Sequence, residues 1–445
     1  MLETIKNFFL PRHNVAEIIK PASKMDAWKA YAGDFPLPLK ASKTDPDAQD
    51  NILLPIVGEI VDASTAHLLG DGVDLDVQGD GQEAAQAWLD DFLKRSKVHT
   101  TVQKLALNSA VCGHGFVKLL VKDGTPERFQ VVNSATMSVD TDSRDTELAT
   151  SFTISWETTD AKNKTVKHQE ITRRVGDRWV IEEYESQSNG RMALVASIDW
   201  PFEFAPIFDC QNLTSPTTYW GKPDCPTAAI NQNESINTTL SMLARLLRNN
   251  ANPKTIVTGL KGQKSEWMLD GAVSMPEGAS ATQLEMNADG ANALLDLYKE
   301  LSDALHTTTR TPLIASGKLE NTGAMSGAAL KILWMPLDAK TAEKRGHLGE
   351  MLENLCERAL GLAGFAGCDV EARFPNTTPT NALEDRQVAV IDKSLGVSSE
   401  TVLTNLGFDY AVEVEQIEAE TPVVEPPTED KLPPVQVDTP LPTAT

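Results

Sequence analysis

Two apolar stripes constrain this chain more than any other feature. Ile236, Leu240, Leu243 and Leu247 recur at spacings of four, three and four residues, and Leu294, Leu297, Leu301 and Leu305 at three, four and four. A helix carrying such a stripe must cover it against another surface. The first helix is predicted to start after Pro226 and to stop at Asn249-Asn250-Ala251-Asn252-Pro253, and the second to run from about Ala291 to His306. Residues 254–290 between them read as short strands and turns, with Ile256-Val257 and Ala272-Val273 as apolar centres. The order predicts an antiparallel helix pair with a small β insert at its far end.

The rest of the chain divides by period. The first 50 residues read as irregular. Helices are predicted over Asn51–Leu69, Gln82–Lys94 and Thr100–Cys112, broken by Gly70 and by Gly113-His114-Gly115. From Phe116 to about Asp209 the pattern alternates, and strands are expected at Phe116–Val121, Phe129–Val132, Phe152–Trp156, Thr165–Thr172 and Trp179–Tyr184. A long helix is predicted from Ser326, a suitable N-cap, to Leu360. Pro336 lies inside it. Proline cannot donate to the Ile332 carbonyl and crowds that turn, so a kink is expected. Two shorter helices follow, near Ala382–Leu395 and Ser399–Leu406. From Glu413 onward, eight acidic residues, seven prolines and one lysine leave nothing to build a core, and a disordered tail is expected. The fold class is therefore α+β, with a mostly antiparallel β segment set into a helical protein.

Charge and motif content narrow the function. The 445 residues carry 63 acidic and 40 basic side chains, a net charge of −23. That balance argues against tight non-specific nucleic-acid binding, which relies on Lys and Arg to displace counterions. The longest uncharged apolar run is 13 residues, Leu105–Val117, where a membrane helix needs about 20. Glu3, Lys6 and Arg12 around Phe8-Phe9-Leu10 do not make a cleavable signal. Five scattered cysteines without C-x-x-C spacing read as buried thiols. No phosphate loop, dinucleotide fingerprint, zinc-protease motif or nucleophile elbow is present, and the seven histidines share no metal-ligand spacing. His114, between two glycines, reads as a partly buried side chain at a helix-to-strand break. Lys331, Lys340, Lys344 and Arg345, among Asp338, Glu343, Glu350 and Glu353, read as a mixed-charge helix surface. Residues 381–410 outline two helices around Gly396, but five acidic residues against two basic ones suit a packed hairpin, not a major-groove reader. No enzymatic activity, cofactor or metal is expected.

One stretch carries a resemblance. Thr322-Gly323-Ala324-Met325-Ser326-Gly327-Ala328-Ala329-Leu330-Lys331 is similar to the S-G-x-A-L-K start of a long helix in portal proteins of tailed bacteriophages. Asn231–Leu246, Pro253–Gly259, Asp385-Arg386 and Val397–Thr401 follow in the order that family shows, in the subgroup of long-tailed phages of Gram-positive hosts. The likeness spans roughly residues 50 to 415. It implies a ring of about twelve copies at one capsid vertex, assembled in the host cytoplasm. Carried over, it divides the chain into a wing (1–225), a first stem helix (226–252), a clip (253–290), a second stem helix (291–310), a tunnel loop (311–324), a long kinked helix beside the channel (325–360), a crown (361–412) and a tail (413–445).

The same resemblance implies partners: further copies of the chain, terminase, a head–tail adaptor, capsid and scaffolding proteins, and double-stranded DNA passing transiently. Candidate channel residues on the tunnel loop are Lys318, Glu320 and Asn321, and Lys261, Lys264 and Trp267 are candidates for docking a partner on the clip. Two other classes stay open on sequence alone: an enzyme of a phage or host operon, such as a nuclease or protease fused to a helical domain, and a monomeric helical adaptor or scaffold. A ring would need neighbouring copies to cover the apolar stripes.

Overall fold

Glycine and proline punctuate this chain, and many element boundaries fall beside them. A computed structural model describes residues 24–40, 50–79, 82–159, 163–187, 190–251, 288–316, 327–377, 382–406 and 410–420, and the short pieces 255–258, 266–267, 273–274, 277–278, 280–283 and 408. Residues 24–31 form helix α1, within a stretch expected to be irregular; Ala27 and Ala30 bury against the residues around them. Helix α2 spans Ile56–Leu69 and not Asn51–Leu69. Pro55 has no N–H to give and stands as N-cap, its carbonyl accepting from Glu59 N–H at 3.1 Å. Strand β1 (Asp74–Val77), helix α3 (Glu83–Arg95) and helix α4 (Val98–Cys112) follow.

The alternating region is richer in strands than its pattern predicts. Its elements are β2 (His114–Lys122), β3 (Thr125–Val132), β4 (Met137–Thr141), β5 (Ala149–Thr159), β6 (Thr165–Val175), β7 (Arg178–Ser186), β8 (Met192–Trp200) and β9 (Ile207–Gln211). They build two antiparallel sheets, one ordered β3-β2-β9 and one β4-β5-β6-β7-β8. Strands β4, β8 and β9 were not expected. β8 exposes Leu194, Val195 and Ile198 together, so no alternation marks it; β4 and β9 are five residues each.

The striped helices form as predicted, α5 over Thr227–Ala251 and α6 over Ala288–Thr308. Between them, β10 (Thr255–Thr258) pairs with β13 (Ser280–Gln283), and β11 (Glu266–Trp267) with β12 (Val273–Ser274), all antiparallel. The stripes are covered at one end only. Ile236 and Leu305 are fully buried, whereas Leu247 and Leu297 are about half exposed. Helix α7 then runs for 36 residues, Gly327–Leu362, with Pro336 inside it. Its Leu348, Leu352 and Leu355 pack with Leu89 and Phe92 of α3 and Val117 of β2 in the main core. Strand β14 (Val370–Arg373) pairs antiparallel with β1. All five cysteines are free and buried.

Residues beyond Thr378 make a separate unit. It holds α8 (Ala382–Ser394), α9 (Ser399–Asn405) and α10 (Tyr410–Glu420). Ser398 caps α9, its Oγ accepting from Thr401 N–H at 3.2 Å. The tail expected to lack structure from Glu413 is helical through Glu420: the first proline is Pro422, and glutamate is a good helix former. Residues 421–445 lie outside the described residues.

Two glycines set the crossing at the end of α4. Gly113 ends the helix at φ +84°, and a Cβ there would fall 2.5 Å from the Gly221 carbonyl oxygen. A Cβ on Gly221 would strike the Gly113 oxygen in return. Only glycine meets both the left-handed backbone and the close approach. Gly113→Ala is expected to cost about 2 kcal/mol or more of stability, read as a lowered urea midpoint; an unchanged midpoint would contradict this packing.

Candidate functional site

The long helix is held to the body by a buried ionic cluster. Asp224 lies in the link between β9 and α5, where its N–H donates to the Ala110 carbonyl at 2.8 Å. From α7, Lys344 reaches it at 2.9 Å and Lys340 at 3.4 Å. All three side chains are at most 2% exposed. Asn212 donates to the same carboxylate at 2.9 Å. Lys344 also donates to Ser64 Oγ on α2 at 3.2 Å, and Lys340 to the Thr309 carbonyl at 3.1 Å, just past α6. Four stretches of chain thus meet on two ammonium groups.

The electrostatics are lopsided, with two cations on one anion. Burial alone would push the Asp224 carboxyl up; the Lys340 and Lys344 charges and the Asn212 amide outweigh it and hold the group well below the usual carboxylate range. Burial pulls Lys344 below the ordinary lysine range, against the attraction of Asp224 and with the help of Lys340. The expected mixed-charge surface is corrected here: Lys340 and Lys344 are core residues. They lie on the helix face that carries Leu337, Leu348 and Leu355, a spacing visible in the sequence. What the sequence hides is the partner, since Asp224 is more than a hundred positions away.

Further ties flank the cluster. His67 of α2 meets Asp338 at 2.8 Å through Nε2, and its ring stacks on Trp334 at 5.0 Å. Arg345 donates to the Leu68 and His67 carbonyls at 3.0 and 3.3 Å, satisfying the open C-terminus of α2. Apart from the Trp334 ring, which precedes the proline, these ties lie beyond Pro336. Before the proline, Ile332 and Met335 are 67% and 63% exposed; directly after it, Leu337 is 0% exposed. Helix α7 therefore has an anchored body and a projecting first segment. Proline marks the boundary because it removes one rung of the helix ladder there.

A polar ladder fixes the base of the helix pair. On α5, Asn233, Asn237 and Ser241 stand four residues apart and are fully buried. They accept from Val57, Leu54 and Ile52 N–H at 3.0, 2.9 and 2.9 Å. Arg245 and Arg248 continue the row to Asp50, each at 2.9 Å. The N-x-x-x-N-x-x-x-S-x-x-x-R repeat in the sequence is the signal for it, overlooked beside the leucine stripe.

Of the residues proposed from sequence, Lys318, Glu320, Asn321, Lys261 and Lys264 lie outside the described residues, as does the proposed N-cap Ser326. Pro336 is on the surface of α7. Trp267 is in β11, in register with Val273 of β12. His114, expected to be partly buried, is 1% exposed and hydrogen-bonded to Asp209 at 2.8 Å; burial outweighs that carboxylate and holds the imidazole below its ordinary range.

The family model described as "Phage portal protein, SPP1 Gp6-like" matches residues 17–422. The chain belongs to the phage portal protein family. Two solved structures show similarity to this portal chain. The neck of a native GTA particle computed with C12 symmetry has 14% identity and a TM-score of 0.49, and the neck of an empty GTA particle computed with C6 symmetry has 15% and 0.47; each alignment covers 80% of this chain and 90% of that one. No curated protein matches it.

Removing the one anion of the cluster strands two buried cations. Asp224→Asn is expected to destabilise the portal subunit by about 3–5 kcal/mol, the scale of a broken buried pair, and Lys344→Met by less, because one matched pair survives. Calorimetric melting of both variants tests the order; equal losses would contradict it. Because the folded carboxyl titrates below its unfolded value of 3.8, its contribution is present above that pH and fades as pH falls below it, so the gap between wild type and Asp224→Asn should narrow from pH 5 to pH 3.

Proposed function

We propose that copies of this chain close into a ring of about twelve at one capsid vertex, in a long-tailed phage of the Gram-positive-host type. The ring is a conduit for double-stranded DNA during packaging and ejection. The observation that carries this reading is the anchored α7 with its projecting first segment, in a chain of the portal family. A segment that projects beyond a rigid anchor can present the adjoining loop, residues 311–324, to an axial channel while the body stays fixed in the ring. Lys318 and Asn321 are the side chains assigned to touch passing phosphates, with Glu320 beside them on the channel side of the loop.

Exposed apolar surface supports a closed ring. Met242, Leu247, Leu295 and Leu297 on α5 and α6, and Ile332 and Met335 on α7, are 39–67% exposed in the single chain. Cyclic closure covers such patches in every copy at once. In this reading 226–252 and 291–310 are the stem, 253–290 the clip, 1–225 the wing, and 361–412 the crown. The kink at Pro336 turns the 325–360 helix along the channel. Lys261, Lys264 and Trp267 on the clip dock terminase or the head–tail adaptor, and the wing meets capsid and scaffolding proteins. An excess of 63 acidic over 40 basic residues keeps the wall weakly adhesive; a site with six to ten phosphate contacts would hold the duplex, as the roughly 10³–10⁵-fold salt sensitivity of such sites indicates.

Electron microscopy of negatively stained protein should show rings with a central hole, and light scattering a mass many times 48.4 kDa. Particles of subunit size would overturn the ring. Lys318→Ala phage should package or retain less DNA than wild type, and equal retention would remove Lys318 from the channel. Deleting 261–267 should abolish adaptor docking while rings persist.

A further inference from the structure

A cleft of about 720 Å³ opens between β9 and the middle of α7. Phe204, Phe208 and Met351 supply its apolar wall, and Glu147, Glu350 and Arg358 its charges. Along it runs β9, the outer strand of the three-stranded sheet. Register decides where the β9 backbone points. The Pro206 carbonyl accepts from Leu119 N–H and Asn212 N–H donates to the Gly113 carbonyl, so even-numbered residues face β2. Ile207 and Asp209 therefore turn N–H and C=O the other way, and no described residue pairs with them there. Beside them the Tyr219 hydroxyl, on a residue 8% exposed, lies against the Asp209 carboxylate. An open strand edge in a cleft calls for an occupant that brings its own backbone.

We propose that residues 5–10 of this same chain, Ile5-Lys6-Asn7-Phe8-Phe9-Leu10, add a strand to β9 and fill the cleft. Three observations name this occupant. The segment is rich in strand-forming side chains, with Ile5 and two phenylalanines, and Pro11 would end its pairing. The described chain starts at its doorstep: the Lys24 ammonium sits 3.1 Å from the centre of the Trp220 ring, and Trp220 packs on Tyr219 and His114, both in the cleft wall. The 13 residues between Leu10 and Lys24 span up to about 45 Å when extended, ample for the return. Charge agrees as well. Residues 1–23 carry Lys6, Arg12 and Lys20 against Glu3 and Glu17 in a strongly acidic chain, and the cleft carries Asp209, Glu147 and Glu350 against Arg358. The family match begins at residue 17, so this strap lies ahead of the shared core and is independent of the channel reading.

Hydrogen exchange tests it alternately along one strand. Deleting residues 1–20 should speed exchange of the Ile207 and Asp209 amides by about tenfold or more, while Phe208 and Cys210, bonded to β2, keep their rates. Unchanged rates at 207 and 209 would overturn the proposal. In the full chain, Asn7→Cys with Asn354→Cys should oxidise to a link within one chain, seen as a faster band on a non-reducing denaturing gel. A ladder of joined chains would put the strand in a neighbour's cleft and overturn docking on its own copy; no link at all would overturn docking outright. A labelled peptide of residues 1–20 should bind the deleted protein and not the full chain, and Glu350→Lys should weaken that binding; equal binding to both forms would count against an occupied cleft.

Discussion

Two lysines on a single buried aspartate decide how this molecule is put together. Burying an ammonium group is tolerable only where an anion and hydrogen-bond acceptors are already in place. The Asp224 carboxylate, Ser64 hydroxyl and Thr309 carbonyl supply them, and each comes from a different part of the chain. The helix bearing the lysines can therefore sit in one register against α2 and the end of α6. A hydrophobic contact of the same size would tolerate a slip of one turn; an ion pair with a second, uncompensated cation beside it would not.

Everything at the junction follows from that register. His67 reaches Asp338 and Arg345 closes the end of α2 only when Lys340 and Lys344 are seated. The start of α7 lies beyond the last of these ties, with Pro336 at the division and apolar side chains facing solvent. The helix pair is treated alike: Asn233, Asn237 and Ser241 rivet its base to the 52–57 backbone, while the leucine stripes farther out remain uncovered. Rigid bases and unsatisfied apolar extensions suit a subunit that completes its burial by meeting copies of itself.

Much of this was legible beforehand. The stripes at 236–247 and 294–305 mark α5 and α6, the hydrophobic face of 337–355 marks α7, and Gly70 and Gly113 mark helix ends, because each rests on local periodicity or backbone chemistry. The errors also have local causes. Pro55 moved the start of α2, and β8 hid because both of its faces carry exposed apolar residues. The tail was read by composition when its first eight residues, ahead of Pro422, are helix formers. The candidate site was harder. Lys340 and Lys344 look like solvated charges on a mixed helix until their place on the leucine face is noticed, and the N-x-x-x-N-x-x-x-S ladder looks like a polar flank.

The chain's order therefore determined its inventory: an α+β protein, two striped helices around a small β insert, a long proline-bearing helix, an acidic surface and the portal-family signature before that helix. Only the tertiary structure decided which charges are buried, which strand edge is left open and where the long helix is gripped. The reason is range. Periodicity and capping act over a few residues, whereas Asp224 and Lys344 are 120 positions apart and acquire their meaning only when folding strips water from both.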